Sequence, residues 1–423
     1  MTGRGVILAA PGSGSGKTTL TLGLLRAFHR RGLAVRGAKS GPDYIDPRFH
    51  EAACARPCPN LDAWAMPRDR IAALAAGEGL LLIEGAMGLF DGAPPEGKGA
   101  TADLARLLGL PVVLVVDAAH MAQSVAALVA GFARHDESVQ VAGVILNKVG
   151  SPRHEAMLRR ALAPLGLPVL GALHRQPGLE HPSRHLGLVQ AHERADLDAW
   201  LDHVAGAVAA AVDLDALAAL AAPLPPAPRP PRLPAPGRRI ALASDRAFAF
   251  AYPHILDDWR ADGAQIIPFS PLADEAPDEA ADFIFLPGGY PELHASTLAE
   301  AARFKAAMRA ARCPIWGECG GYMVLGNSLT DADGARHEML GLLDLETSFA
   351  ARRLHLGYRK LHAIDGPFPG TWAAHEFHYA TTLRAEGTPL FEAVDAEGRA
   401  LAPAGLVAGQ VAGSFLHLID RPD

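Results

Sequence analysis

The sequence predicts an α/β protein of two domains, each built on a largely parallel sheet. Three observations predict it. Short unbroken apolar runs alternate with helical periodicity in both halves, the pattern of strands covered on both faces by helices. The stretch AAPLPPAPRPPRLPAPGRR, residues 221–239, is too rich in proline for helix or sheet interior and favours an extended spacer. A length of 423 residues exceeds one compact domain and suits two. The front domain is therefore placed at residues 1–222, a proline-rich linker at 223–237, and the back domain at 238–423.

In the front half, Val6–Ala10, Leu80–Ile83, Pro111–Asp117, Val141–Leu146 and Val169–Leu173 read as buried strands. Lys17–Arg31 reads as a helix, with Leu20, Leu24 and Phe28 on one face and Gly32 placed to end it. An alanine-rich helix is expected over Asp196–Ala222. After the linker the rhythm repeats with strands Ile240–Ala243, Gln265–Phe269, Phe283–Leu286 and Pro314–Trp316 and a helix over Leu298–Ala311. From about Leu343 the chain is richer in strands and loops.

Composition excludes several functions. An apolar fraction of 49% and a charged fraction of 20% describe folded cores, not a disordered chain. A net charge of −7, with lysine and arginine scattered, gives no concentrated basic surface for nucleic-acid phosphates. Cys54, Cys58, Cys313 and Cys319 are too few for a disulfide framework, and Cys54 and Cys58 lack a second pair for zinc. The opening apolar run is too short for a signal peptide or membrane span, so a cytoplasmic protein is expected, with no membrane partner.

The first chemical motif lies between the first strand and helix. Gly12, Ser13, Gly14, Ser15, Gly16, Lys17, Thr18 and Thr19 form a glycine-rich turn opening a helix. Its backbone N–H groups suit phosphate oxygens, Lys17 the outer phosphates of ATP, and Thr18 a Mg²⁺ ion. The strict pattern asks for glycine where this chain has Pro11. Next comes KSGPDYIDP, with Asp43, Tyr44 and Asp46 in a Gly/Pro-rich loop that is either a solvated turn or part of a site. Glu84 ends an apolar strand and leads into GAMGLFDG, which contains Asp91. An acid there either caps the strand or holds Mg²⁺ directly or through water. Asn147 and Lys148 end another strand and are placed to face a purine ring.

In the back half, PIWGECGGYMVL places Cys319 in a G-x-C-x-G turn between strand and helix, a sulfur version of the nucleophile elbow. A cysteine at a helix N-terminus is expected to have a lowered pKa; the alternative is a buried structural cysteine. Upstream, the backbone N–H groups of Gly288 and Gly289, with Gly320 beside the nucleophile, suit an oxyanion hole. His337, His355, His362, His375, His378 and His417 are all candidate bases.

In order, the glycine loop, KSGPDYIDP, IEGAMGLFDG, NKV, PSRHLGLV (Pro182–Val189), LPGGYPELH, WGECGGYMVLG and SFLHL resemble the cobyrinic acid a,c-diamide synthase family over nearly the whole chain. The resemblance implies a dethiobiotin-synthetase-like P-loop domain followed by a class I glutamine amidotransferase domain. It implies amidation of the a and c acetate carboxylates of a corrinoid, each with one ATP and one glutamine, in cobalamin biosynthesis. The metal-free ring, hydrogenobyrinic acid, is the expected substrate, with cobalt-containing cobyrinic acid as the alternative. By the same resemblance Cys319 is the glutaminase nucleophile and His417 its base. Thr18, Asp43 and Glu84 would then hold Mg²⁺, while Asp43, Tyr44, Asp46 and Asp91 surround ATP and the reacting carboxylate.

In the wider amidotransferases a glutamate follows two residues after the histidine; here that position is Ile419, which implies a reduced dyad. Arg36, Lys39, Arg352, Arg353, Arg359 and Lys360 are candidates to receive the corrinoid carboxylates. A sheltered ammonia path is expected, because free ammonia would protonate in water. A homodimer is compatible with a sequence that does not fix the oligomeric state. The rival readings are a P-loop switch ATPase with a non-catalytic back half, and a sibling enzyme amidating other corrinoid side chains.

Overall fold

The computed structural model describes residues 3–179, 196–226, 229 and 232–422; the PSRHLGLV segment lies outside them. The chain divides into two compact units, Met1–Pro230 and Pro231–Asp423. Among the described residues no helix is long and apolar enough to cross a membrane.

The first unit runs β1 (Arg4–Ala9), α1 (Lys17–Arg30), β2 (Val35–Ser40), α2 (Asp46–Cys54), β3 (Asn60–Leu61), α3 (Arg68–Ala75), β4 (Leu80–Glu84), α4 (Thr101–Leu108), β5 (Val112–Asp117), α5 (Ser124–Arg134), β6 (Val141–Val149), α6 (Pro152–Leu162), β7 (Val169–His174), α7 (Leu197–Ala211), α8 (Leu214–Leu220) and β8 (Ala222–Pro223). Its sheet has the order β3-β2-β4-β1-β5-β6-β7. These strands are parallel, and β8 joins β1 antiparallel. β4 is buried at every position and β1 at all but its first, as covered parallel strands require. Parallel order gathers the carboxyl ends of β1, β2, β4, β5 and β6 on one edge, where the glycine loop and the acids leave the sheet.

The second unit runs β9 (Arg239–Ala243), α9 (Pro253–Ala261), β10 (Gln265–Phe269), β11 (Phe283–Leu286), α10 (Ala295–Glu300), α11 (Ala302–Ala310), β12 (Ile315–Glu318), α12 (Gly320–Leu325), β13 (Ser328–Thr330), β14 (Arg336–Glu338), β15 (Asp344–Ser348), β16 (His355–Ala363), β17 (Thr371–His378), β18 (Thr381–Glu386), β19 (Thr388–Asp395), β20 (Ala404–Ala408), β21 (Val411–Ser414) and β22 (Leu416–Asp420). Its main sheet has the order β10-β9-β11-β12-β21-β20-β19-β16-β17-β22, and β14-β13-β15-β18 form a smaller one. One core, around Leu286, Phe304 and Met323, packs with α10, α11 and α12. A second, aromatic core on Trp259, Phe283, Trp316, Phe368 and Trp372 packs with α9.

Three elements depart from the sequence expectation. The helix expected over Asp196–Ala222 stops at Ala211: Val212 bridges Gly171, and Asp213 restarts the helix by accepting the N–H of Ala216 at 2.9 Å. The helix expected over Leu298–Ala311 is broken at Ala301, with φ −69° and ψ 79°. Leu298, Phe304 and Met308 all still reach the core, so the break leaves no trace in the apolar period. Asp46, expected in a loop, begins α2, because proline is tolerated in a first helical turn.

Candidate active sites

The glycine loop of residues 12–16 is shaped by backbone that side chains rarely adopt. Gly14 and Gly16 have φ of 79° and 83°, and a Cβ on Gly16 would lie 2.2 Å from Nδ2 of Asn147. That amide donates to the Ser15 carbonyl at 2.9 Å, and Ser15 Oγ donates to the Gly12 carbonyl at 2.9 Å. Lys148 donates to the Gly14 carbonyl at 2.8 Å and pairs with Asp117 at 2.7 Å. Asn147 and Lys148 thus brace the loop from the end of β6. Lys17 opens α1 beside Thr18 and Thr19 and donates to the carbonyls of Met87 at 2.5 Å and Gly12 at 3.4 Å. Burial lowers the pKa of its ammonium.

Glu84 is the hub of the acidic side. Its Oε1 accepts from Thr18 at 2.6 Å and Lys39 at 2.8 Å, and its Oε2 meets His50 Nε2 at 2.7 Å. Lys39 also reaches Asp46 at 2.5 Å. Burial is the largest single influence on both and opposes their charges; Asp46 and then Glu84 together outweigh it for Lys39, and Lys39 and then His50 together outweigh it for Glu84. Glu84 is held well below the usual carboxylate range and Lys39 above its ordinary value. Asp43 Oδ1 accepts the N–H groups of Ile45 and Asp46 at 2.7 and 3.1 Å, while burial and the neighbouring Asp46 push its carboxyl up to about 6. Tyr44 is buried between them in sequence. Asp91 accepts the Gly88 N–H at 2.9 Å and is close enough to favour the Lys17 charge. The oxygens of Thr18, Asp43 and Glu84 are hard donors of the kind Mg²⁺ prefers. With both Glu84 oxygens already bonded, that residue suits an ion held through water.

The second unit brings Cys319, His417, Gly288, Gly289 and Gly320 together. Cys319 follows β12 at φ 46° and ψ −102°, a strained conformation for a residue with a side chain, of the kind a nucleophile elbow imposes. Its N–H donates to the Ser414 carbonyl at 2.8 Å, tying the turn to β21. A Cβ on Gly288 would lie 2.3 Å from Cε1 and 2.9 Å from Nε2 of His417, and 3.3 Å from Cβ of Cys319. Cβ of Cys319 and the His417 imidazole therefore border one space that only glycine leaves open, while the Cys319 sulfur lies 3.9 Å from the Phe377 carbonyl. The Gly288 carbonyl accepts from Phe250 at 2.9 Å, so its trans peptide aims the Gly289 N–H away from Phe250. A Cβ on Gly320 would lie 2.9 Å from that nitrogen.

The lowered cysteine pKa expected from sequence is corrected. Burial first, then the nearby Glu292, pushes the Cys319 thiol well up, outweighing the Gly320 N–H that favours thiolate. That direction favours the thiol form and calls for a base beside it.

Of the other candidate histidines, three are engaged with other side chains and one lies at the surface. His337 meets Asp331 at 2.8 Å, His378 stacks on Phe415 with centroids 3.9 Å apart, His355 stacks on His378, and His362 is exposed. His375 faces His417 across β17 and β22. Among the expected corrinoid-binding cations, Arg36 donates to the carbonyls of Ala75, Ala76 and Glu78, Lys39 serves Glu84, and Arg359 pairs with Glu376 at 2.6 Å. Arg352, Arg353 and Lys360 remain at the surface.

His50 as partner of Glu84 and Asp117 as partner of Lys148 carry no signal in the sequence, and Lys39, a candidate there for the corrinoid carboxylates, instead meets Glu84. Lys39 stood in the KSGPDYIDP motif, but nothing in its spacing pointed to Glu84. Glu318, adjacent to the nucleophile, likewise carries no signal of its own in the sequence. Its Oε2 lies 3.6 Å from Nδ1 of His417, and both side chains are buried.

The comparisons with known proteins agree with this division of labour. Residues 6–189 match the CobQ/CobB/MinD/ParA nucleotide binding domain, and residues 239–422 match the CobB/CobQ-like glutamine amidotransferase domain. The chain is 56% identical to the hydrogenobyrinate a,c-diamide synthase of Rhizobium meliloti over 98% of this chain and 99% of that protein. It is 56% identical to that of Brucella abortus over 99% and 98%, and 55% identical to that of Rhodobacter capsulatus over 98% of each. With that identity along almost its whole length, the chain belongs to the hydrogenobyrinate a,c-diamide synthase family.

Proposed function

We propose that this chain uses ATP and glutamine to convert the a and c acetate carboxylates of hydrogenobyrinic acid into amides, a step of cobalamin biosynthesis. The observation that carries the reading is the pairing, in one chain, of a braced glycine loop facing an acid–lysine centre with a cysteine on a strained elbow beside a buried histidine.

A carboxylate is a poor acyl donor because its leaving group would be oxide. Transfer of the γ-phosphoryl group of ATP to it gives an acyl phosphate, whose leaving group is phosphate. The loop N–H groups and Lys17 position the nucleotide and offset charge developing on the transferred group. A Mg²⁺ ion held by Thr18, Asp43 and Glu84 would supply further charge neutralisation at the phosphates. In the second unit Cys319 attacks the side-chain amide carbon of glutamine as His417 takes the thiol proton. The Gly289 and Gly320 N–H groups receive the oxyanion, and ammonia leaves behind a glutamyl thioester that water hydrolyses. Ammonia then displaces phosphate from the acyl phosphate.

The test is a coupled assay with the full chain, ATP, Mg²⁺ and glutamine, offering hydrogenobyrinic acid and cobalt-containing cobyrinic acid separately. Mass spectrometry should show a loss of about one mass unit per carboxyl converted, stopping at two, with the metal-free ring preferred. Preference for the cobalt form would move the substrate to the other corrinoid. ATP hydrolysis without amidation of either would overturn the reading.

A further inference from the structure

Where the wider amidotransferases place a glutamate two residues after the histidine, this chain has Ile419. The structure brings a carboxylate to the same ring from another element. Glu318 ends β12, next to Cys319, and its Oε2 lies 3.6 Å from Nδ1 of His417, with the two side chains 6% and 0% exposed. Its other oxygen is fixed independently. Oε1 accepts from Nε1 of Trp316 at 3.1 Å and from the N–H of Leu418 at 3.4 Å. One of these donors stands on the strand of Glu318 and the other adjoins His417, so together they set the carboxylate against the imidazole edge.

We propose that Glu318 is the positioning carboxylate of His417, replacing in space the acid that the sequence lacks at position 419. The inference rests on the reading of Cys319 as nucleophile and His417 as base. Glu318 favours the tautomer with the proton on Nδ1, which leaves the Nε2 lone pair on the side that borders Gly288 and Cys319. As sulfur attacks the amide carbon, the S–H bond breaks and its proton passes to Nε2. The imidazolium is then stabilised by Glu318 at its far edge. When the C–N bond breaks, Nε2 returns that proton to the departing nitrogen, and ammonia leaves. Glu318 neither gains nor loses a proton. A buried thiol with a raised pKa makes such a base necessary.

Other titratable groups surround this pair, and among the described residues none duplicates the role. His375, opposite His417 on β17, is pushed down to about 3 by burial and stays neutral. Glu376 acts on Cys319 and His375 from a distance but is tied to Arg359 at 2.6 Å and His378 at 3.1 Å. Glu292 acts electrostatically on the thiol, disfavouring its ionised form. His254, from α9, meets the carbonyl of Ile419 at 2.8 Å.

The experiment is the steady-state kinetics of glutamine hydrolysis by full-length E318Q. Glutamine keeps an oxygen for Trp316 and Leu418 but loses the charge facing Nδ1. The kcat should fall roughly 10- to 100-fold, with KM within about threefold. This is less than the ~10⁴-fold loss on neutralising an aspartate hydrogen-bonded to a catalytic histidine, since 3.6 Å is an ion-pair separation. The loss should fall on kcat and not on KM, the split expected when the missing group acts on the base and not on glutamine binding. A kcat within about twofold of the unaltered enzyme, or a loss carried by KM alone, would overturn the proposal.

Should E318Q not fold, ¹⁵N NMR of the unaltered enzyme decides. His417, assigned by its missing signals in H417N, should carry its neutral proton on Nδ1, and a proton on Nε2 would overturn the role. C319S separates this inference from the one beneath it. If C319S still hydrolyses glutamine, both fall; if it is inactive while E318Q behaves as the unaltered enzyme, only the positioning role falls.

Discussion

Replacing Glu84 by glutamine removes one charge from a buried cluster while leaving its shape intact. The glutamine oxygen can still accept from Thr18 and Lys39, which lie 2.6 and 2.8 Å from Oε1 of Glu84. The new NH₂ meets His50, whose Nε2 lies 2.7 Å from Oε2. What changes is the attraction to Lys39. At 2.8 Å and an effective dielectric constant of about 20, that attraction is worth about 6 kcal/mol. Relief from burying the carboxylate returns several kcal/mol. Lys39 also keeps Asp46 at 2.5 Å. A net loss of about 2–3 kcal/mol follows, or about 4–12 °C in the melting of a unit of this size.

The assay is calorimetry of the full chain, with the K39M and K39M/E84Q variants completing a cycle. Because Lys39 and Glu84 answer each other, the double variant should be more stable than the sum of the single losses by about 2 kcal/mol. The pH dependence has a definite sign. The carboxyl of Glu84 sits below its ordinary 4.5 in the folded chain, so its contribution is present in full above about pH 5. It is lost as the pH falls through the folded value, and the lead over E84Q should narrow below about pH 4. E84Q should also lose amidation with either nitrogen source while still hydrolysing glutamine. Equal melting of E84Q and the unaltered chain at pH 7, or strictly additive single losses, would refute the reasoning.

C319S should lose synthesis from glutamine but retain synthesis from high ammonium; loss of both, measured by product mass, would break the division of labour between the units. G288A places a methyl 2.3 Å from Cε1 of His417, a ring with no exposed surface, so glutaminase turnover should fall by roughly 100-fold while ammonium-driven synthesis survives. G16A combines a φ of 83° with a Cβ 2.2 Å from Asn147, and its ATP affinity, measured by calorimetric titration, should weaken at least about tenfold. An unchanged affinity would mean that Asn147 does not hold the loop in its binding shape.

What the sequence could show followed from locality. The glycine loop, the elbow and the Gly288-Gly289 turn are contiguous, and each carries its backbone requirement in its own residues. The apolar runs were equally readable, because a strand covered on both faces has no other composition open to it. Helix breaks at Val212 and Ala301 were not readable, since both preserve the pattern of burial. Long-range ionic partners were harder still: Lys39 and Glu84 are 45 positions apart and meet only because β2 pairs with β4 in the register that sets them side by side.

Glu318 and His417 show the same limit from the other direction. A rule that looks for the acid at a fixed distance after the histidine finds Ile419 and stops. The sheet imposes a different adjacency. β12 pairs with β21, which aligns Glu318 with Ser414, three residues before His417. The Leu418 N–H, next to the histidine, then bonds Glu318 directly. What a base needs is a carboxylate at one edge of its ring, and a neighbouring strand can supply it as well as the histidine's own.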